Sequence, residues 1–140
     1  MQARQGAAIN KMFGIEPHKL INHFPIALAL IAVIYDSWAV YSNKPGMHQT
    51  GYGLTLWAAI GALAAAVSGL DLAGNNRIPK GAVTGHAGFG IAAAIVITAL
   101  AVARYSARVR EQNGYRTWWL ILEWAAAMLV TASALTGHRL

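Results

Sequence analysis

Four apolar runs, Leu20–Tyr41, Tyr52–Ala73, Ala87–Ala107 and Trp118–Gly137, are separated by short stretches rich in Gly, Pro, Asn and charge. Each approaches the roughly 20 residues that cross about 30 Å of hydrocarbon at a rise of 1.5 Å per residue. The connections Ser42–Gly51, Gly74–Gly85 and Arg108–Thr117 are short, and the last contains the turn signal Asn113-Gly114. Short connections place consecutive helices antiparallel. The pattern therefore predicts an all-α membrane protein, a four-transmembrane-helix up-down-up-down bundle in one domain over residues 1–140.

Composition agrees with that pattern. Only 11% of the 140 residues are charged and 56% are hydrophobic, where a soluble domain carries about one quarter charged residues. Residues 1–16 lack a continuous apolar core and the first run is too long for a signal peptide, so it is expected to act as an uncleaved anchor. The chain has no cysteine, which excludes disulfides, thiolate metal sites and covalent c-type haem attachment. The net charge of +6 comes from Lys and Arg scattered over helix ends. Such a distribution suits lipid headgroups and gives no reason to expect nucleic acid.

Small residues recur at interface spacing. Gly61, Ala65 and Gly69 form one stripe and Gly90, Ala94 and Thr98 another, and such stripes let membrane helices approach closely. Folding the topology then segregates the side chains. One end of the bundle collects His18, His23, Asp71, His86 and His138. The other carries all five tryptophans and all five tyrosines, with His48 in the first connection. Aromatic belts normally mark both interfaces, so the histidine end, which has none, is the first candidate for a site.

Helical phase sorts the histidines. His23 shares a face with Ala27, Leu30 and Ile34, and His86 with Gly90, Ala93 and Ile97. Each has a small residue one turn deeper and a neighbouring phenylalanine, Phe24 or Phe89. On diagonal helices at matched depth, His23 and His86 suit the two axial positions of a haem iron, and haem b is the expected cofactor. The competing expectation is a pair of packing histidines that hydrogen-bond between helices. His18 lies about 140° around the helix from His23 and fits headgroup level better. Asp71 could orient an imidazole or pair with Arg77 or Lys80, and His138 sits at the negative end of the last helix dipole. His18, Asp71 and His138 are thus secondary ligand candidates, and with His23 and His86 they could instead hold copper, zinc or iron.

Towards the aromatic end, Asp36, Arg104 and Glu123 lie at comparable depths on the first, third and fourth runs. Together they would neutralise most of their charge and fix helix orientation, while a proton path or a quinone-binding carboxylate is the sharper alternative.

The stretch His18-Lys19-Leu20-Ile21-Asn22-His23-Phe24-Pro25-Ile26-Ala27-Leu28, with Asp36 three turns on, Gly69-Leu70-Asp71 and His86, resembles the signature of a bacterial four-helix membrane family, domain of unknown function 2231. The similarity covers nearly the whole chain. Lys19 replaces a usual proline, and the glycine-rich tail after the fourth helix is curtailed. The resemblance supports His18, His23, Asp71 and His86 but not His138. Some members are joined to cytochrome c-type domains, which implies redox company.

The expected function is a small b-type cytochrome or cytochrome-like subunit passing electrons between a quinol pool and a partner such as cytochrome c. Two alternatives stand beside it: an accessory subunit of a larger membrane complex without cofactor, and a metal-binding histidine cluster. No nucleophile–base pair or phosphate-binding loop points to a stand-alone enzyme. The arginines of the short third connection favour a bacterial inner-membrane protein with its aromatic end in the cytoplasm and its histidine end in the periplasm.

Overall fold

The computed structural model describes residues 17–74, 80–112 and 114–137, with side chains over 21–70, 85–112 and 114–137. These residues form four helices: α1 Pro17–Ser42, α2 Met47–Gly74, α3 Lys80–Val109 and α4 Thr117–Gly137. Each contains a stretch long and apolar enough to span a membrane: Ile21–Ser42, Met47–Leu70, Gly85–Val109 and Thr117–Gly137. Helix pairs α1–α2, α2–α3, α3–α4 and α1–α4 pack side by side. That leaves α1 and α3 on one diagonal and α2 and α4 on the other, as the short connections predict.

Two helices stop in the same way. Asn43 (φ 51°) and Glu111 (φ 53°) adopt left-handed backbone just beyond α1 and α3. After α1 the Asn43 and Lys44 N–H groups return to the carbonyls of Val40 and Ala39; after α3 those of Glu111 and Gln112 return to Arg108 and Ala107. This is the Schellman arrangement, which satisfies carbonyls that the helix end would otherwise leave bare. It turns the chain sharply, so α2 begins at Met47 and His48 belongs to the first turn of a helix, where hydropathy alone leaves it in a connection.

The interior is built from small side chains. Ala29, Ala58, Ala59, Ala62, Ala93, Ala94, Ala101 and Ala126 join Ile97 and Val130 in one buried cluster. Larger apolar side chains point outward: Ile34, Val67, Ile95, Ile121, Met128 and Leu135 are between 62% and 70% exposed. In lipid there is no hydrophobic gain from bringing large apolar groups inside, so close backbone approach governs the packing. Gly61 shows the result. A Cβ there would sit 3.1 Å from Phe24 Cδ1 and 3.3 Å from the Pro25 ring, so α2 lies directly on α1 at the proline. Gly90 approaches α4 likewise, 3.3 Å from Ser133 Oγ by the same measure.

Candidate functional site

A polar cluster drawn from all four helices lies near the aromatic end. Asp36 of α1 is 0% exposed, Thr55 of α2 3%, Arg104 of α3 4% and Glu123 of α4 4%. Asp36, Arg104 and Glu123 sit five or six residues inside their helix ends, about 8–9 Å deep at 1.5 Å per residue. Ionisable groups at that depth need partners, and the arginine provides them. Its Nη1 donates to Asp36 Oδ2 at 2.7 Å and to Glu123 Oε1 at 2.6 Å, with Thr55 Oγ1 at 3.3 Å. Its Nη2 donates to the His48 carbonyl at 2.9 Å. The guanidinium thus crosses the diagonal from α3 to α1 and also reaches α2 and α4. The Asp36–Arg104–Glu123 association expected from sequence is present.

Two further side chains, His48 and Tyr115, complete the cluster. His48 Nδ1 and Asp36 Oδ1 share a hydrogen bond of 2.5 Å. Tyr115, in the connection before α4, lies flat on the His48 ring, with centroids 3.7 Å apart and planes 5° apart. Its hydroxyl donates to Glu123 Oε2 at 3.4 Å. Burial, and then the neighbouring Glu123 and Asp36 carboxylates, push the Tyr115 phenol well above its usual value. It remains a donor throughout the working pH range. Thr55 Oγ1 donates to the Gly51 carbonyl at 2.8 Å, and the absence of a side chain on Gly51 makes room for the Asp36 carboxylate.

Outside this cluster, towards the connections, lies a cleft of about 340 Å³. Tyr52, Tyr115 and Trp119 give it aromatic walls, and Arg104, Arg108, Gln49 and Gln112 give it polar ones. Arg108 lies 5.0 Å from the Tyr52 ring centre and donates to Gln49 Oε1 at 3.1 Å. The guanidinium of Arg104 is 5.4 Å from the Tyr115 ring centre and 5.7 Å from that of Trp119.

At the histidine end the structure separates the two principal candidates. His86 points at α4: its Nδ1 lies 2.8 Å from the Ser133 carbonyl and 3.2 Å from Ser133 Oγ. Its companions Ala93 and Ile97 are buried, so the predicted face of α3 is the inner one. His23 is exposed, as are Ala27 and Ile34 on its face. The packed stripe of α1 is instead Ala29, Ala32, Val33, Asp36 and Ala39. The structure therefore does not turn the His23 and His86 imidazoles toward each other across the bundle interior. The side chains of His18 and Asp71, and the whole of His138, lie outside the described residues. Among the described residues, no three His, Asp or Glu side chains converge as a metal-ligand set.

Sequence reasoning missed His48, Tyr115, Thr55 and Gly51. A signal existed for three of them: residues 48, 51 and 55 follow the three- and four-residue spacing of one helix face, which a helix starting at 47 makes visible. Tyr115 had none, because its place depends on the turn set by Glu111.

No curated protein and no solved structure matches the chain. The family described as predicted membrane protein DUF2231 matches it over residues 14–140. With four membrane-length helices in the same span, the chain is a multi-pass membrane protein and belongs to the DUF2231 family.

Proposed function

We propose that the chain is a proton-exchanging membrane subunit whose working groups are His48, Asp36, Arg104, Glu123 and Tyr115. One observation carries this reading: two buried carboxylates meet a single guanidinium nitrogen while an imidazole faces one of them. A net charge held in a low-dielectric interior costs several kcal/mol, on the order of the penalty for a broken buried ion pair. With Arg104 charged and both carboxylates ionised, neutrality requires His48 to be protonated. With His48 neutral, it requires one carboxylic acid. The two arrangements differ by the position of one proton, and His48, in the first turn of α2 with a side chain 16% exposed, connects the buried groups to the surface. Imidazole is the side chain suited to such exchange near neutral pH.

The test is pH-difference infrared spectroscopy of the full chain in lipid nanodiscs. A carboxylic-acid C=O band that appears with pH, shifts in D2O and is lost in Glu123→Gln or Asp36→Asn is the expected result. His48→Gln should abolish its pH dependence. Absence of any such band across roughly pH 5 to 9, in a folded protein, refutes the reading. The subunit is placed in a bacterial inner membrane with Arg108, Arg110 and Arg116 on the cytoplasmic side, following the cationic third connection. A reporter fused after Leu140 with high cytoplasmic activity would reverse that orientation.

A second reading is the electron-carrier function, a small b-type cytochrome or cytochrome-like subunit working with a quinol pool and a partner such as cytochrome c. It is favoured by the bond between His86 Nδ1 and the Ser133 carbonyl. Such a bond fixes the tautomer that leaves Nε2 as the ligating nitrogen, as in iron- and zinc-bound imidazoles. The outward position of His23 does not fit the second axial place of a haem held across the bundle interior. A reduced-minus-oxidised spectrum of wild type beside His23→Ala and His86→Ala decides it: a sharp Soret band lost in both variants restores the two-histidine site. A colourless protein that keeps other subunits in mild detergent points to an accessory role, and metal analysis of that sample covers copper, zinc and iron.

A further inference from the structure

The cleft outside the polar cluster is lined by hydrogen-bond donors that the cluster does not use. Arg104 is already engaged: its two terminal nitrogens serve Asp36, Glu123, Thr55 and the His48 carbonyl. Arg108 differs. It is exposed and rests 5.0 Å from the Tyr52 ring centre. Among the described residues its hydrogen bonding is confined to Nη1 on Gln49 Oε1 at 3.1 Å, which leaves its Nε–Nη2 edge to donate. No carboxylate is paired with it among those residues. Gln49 and Gln112 line the same cleft. Arginine can only donate, so Arg108 on Gln49 Oε1 and Arg116 on Gln112 Oε1, the latter at 2.7 Å, orient both amides. Their oxygens are occupied and their NH2 groups remain as donors. Charge favours the same kind of ligand. Outside the buried cluster, Lys44, Arg108, Arg110 and Arg116 at this end stand against the carboxylate of Glu111. Even with Asp36 and Glu123 both ionised and His48 neutral, the cluster holds one negative charge and the end as a whole stays cationic. The rings of Tyr52, Tyr115 and Trp119 set the cleft at the interfacial level, and basic pockets between membrane helices suit anionic headgroups.

From these features we infer that the cleft binds a phosphate oxyanion, held by the open edge of Arg108 and the amide groups of Gln49 and Gln112. The planar guanidinium fork matches phosphate oxygens two at a time. The Tyr52 ring and the Gln49 bond hold that fork in place before a ligand arrives. An anionic phospholipid headgroup and inorganic phosphate share this chemistry, and the interfacial level of the cleft makes the lipid the expected source. The inference goes beyond the proton-exchange reading and does not depend on it, because the cations outnumber the carboxylates in every protonation state of the buried cluster.

Two titrations of the full chain in a non-ionic detergent test it. Native mass spectrometry reads the lipid arm, with phosphatidylglycerol and phosphatidylcholine of the same acyl chains; phosphatidylglycerol should bind more tightly. Calorimetry with inorganic phosphate at constant ionic strength reads the aqueous arm. Arg108→Gln should weaken the anion about fivefold or more, the scale of one basic side chain at a membrane surface, and Arg110→Gln, which removes the same charge outside the cleft, less than about twofold. Gln49→Leu combined with Gln112→Leu keeps the net charge, removes both amides and should weaken binding as well. Phosphatidylglycerol binding with this pattern assigns the site to the lipid. Inorganic phosphate binding with this pattern, where the lipid does not bind, assigns it to a soluble phosphate. The inference fails if neither ligand binds, or if phosphatidylcholine matches phosphatidylglycerol while inorganic phosphate does not bind. It fails equally if Arg108→Gln and Arg110→Gln weaken binding alike, or if the folded double variant binds like wild type. Should Arg108→Gln not fold, the double variant decides under the same two outcomes. Loss of anion binding leaves the infrared test of the buried proton intact, and loss of the infrared band leaves these titrations intact.

Discussion

Two glycines, two residues apart on α2, should respond to alanine with opposite sign. At Gly53 a Cβ meets nothing within 4 Å. There Gly53→Ala gains the helix propensity difference and should stabilise by up to about 1 kcal/mol. At Gly51 a Cβ would fall 2.5 Å from Asp36 Cγ, whereas carbon atoms rest at about 3.5–4 Å, so something must move by roughly 1 Å. Asp36 cannot swing aside freely, because Oδ2 is held by Arg104 and Oδ1 by His48. Overpacking alone costs about 1–3 kcal/mol, and releasing the carboxylate from its partners about 3–5 kcal/mol. After the propensity gain, Gly51→Ala should destabilise by about 2–4 kcal/mol. Unfolding of the full chain in mixed micelles of rising SDS fraction, followed by helical circular dichroism, gives both values on one scale. Equal shifts of the same sign would mean that the Asp36 carboxylate does not rest on α2, and the description of the cluster would fall with it.

Replacing Arg104 with Met should cost about 3–5 kcal/mol in the same assay, and adding Asp36→Asn and Glu123→Gln should restore most of it, because the penalty belongs to unpaired charge rather than lost volume. Tyr115 holds its proton more tightly when folded than when unfolded. The unfolded chain therefore loses that proton first, from about pH 10 upward, and stability falls as pH rises through that range. Tyr115→Phe should flatten this alkaline slope while leaving the phenolate absorbance of the exposed tyrosines unchanged in the folded protein. Gly137→Ala would place a Cβ 2.7 Å from His86 Nδ1, turning the imidazole off the Ser133 carbonyl. The expected loss is about 1 kcal/mol, with a shifted His86 ring resonance by NMR.

The spans and the Asp36–Arg104–Glu123 association could be read from sequence for the same reason. A charge inside an apolar run is rare, and counting residues from each run's end places the three at one depth. The facing of His23 was harder to read, because the neighbouring Ala27 suggests an inner surface in a chain where small residues do line the interior. Asp36 carries the missing information. Thirteen residues at about 100° each put His23 roughly 140° away from it, and a buried carboxylate marks the inside more firmly than an alanine does. His48 was hidden by hydropathy: His48, Gln49 and Thr50 interrupt the apolar run, but the helix continues through them. Tyr115 reaches His48 only because the chain reverses at Glu111, and a glutamate is not a residue that advertises left-handed backbone.

The alanine-lined interior has a bearing on traffic across the membrane. Beneath the charged layer, the hydrophobic cluster in the middle of the bundle consists of alanine methyl groups and two branched aliphatics, which carry no exchangeable proton. On the proton-exchange proposal, a proton at Glu123 meets no ionisable side chain within that cluster. On that proposal the bundle stores and returns charge at one face of the bilayer.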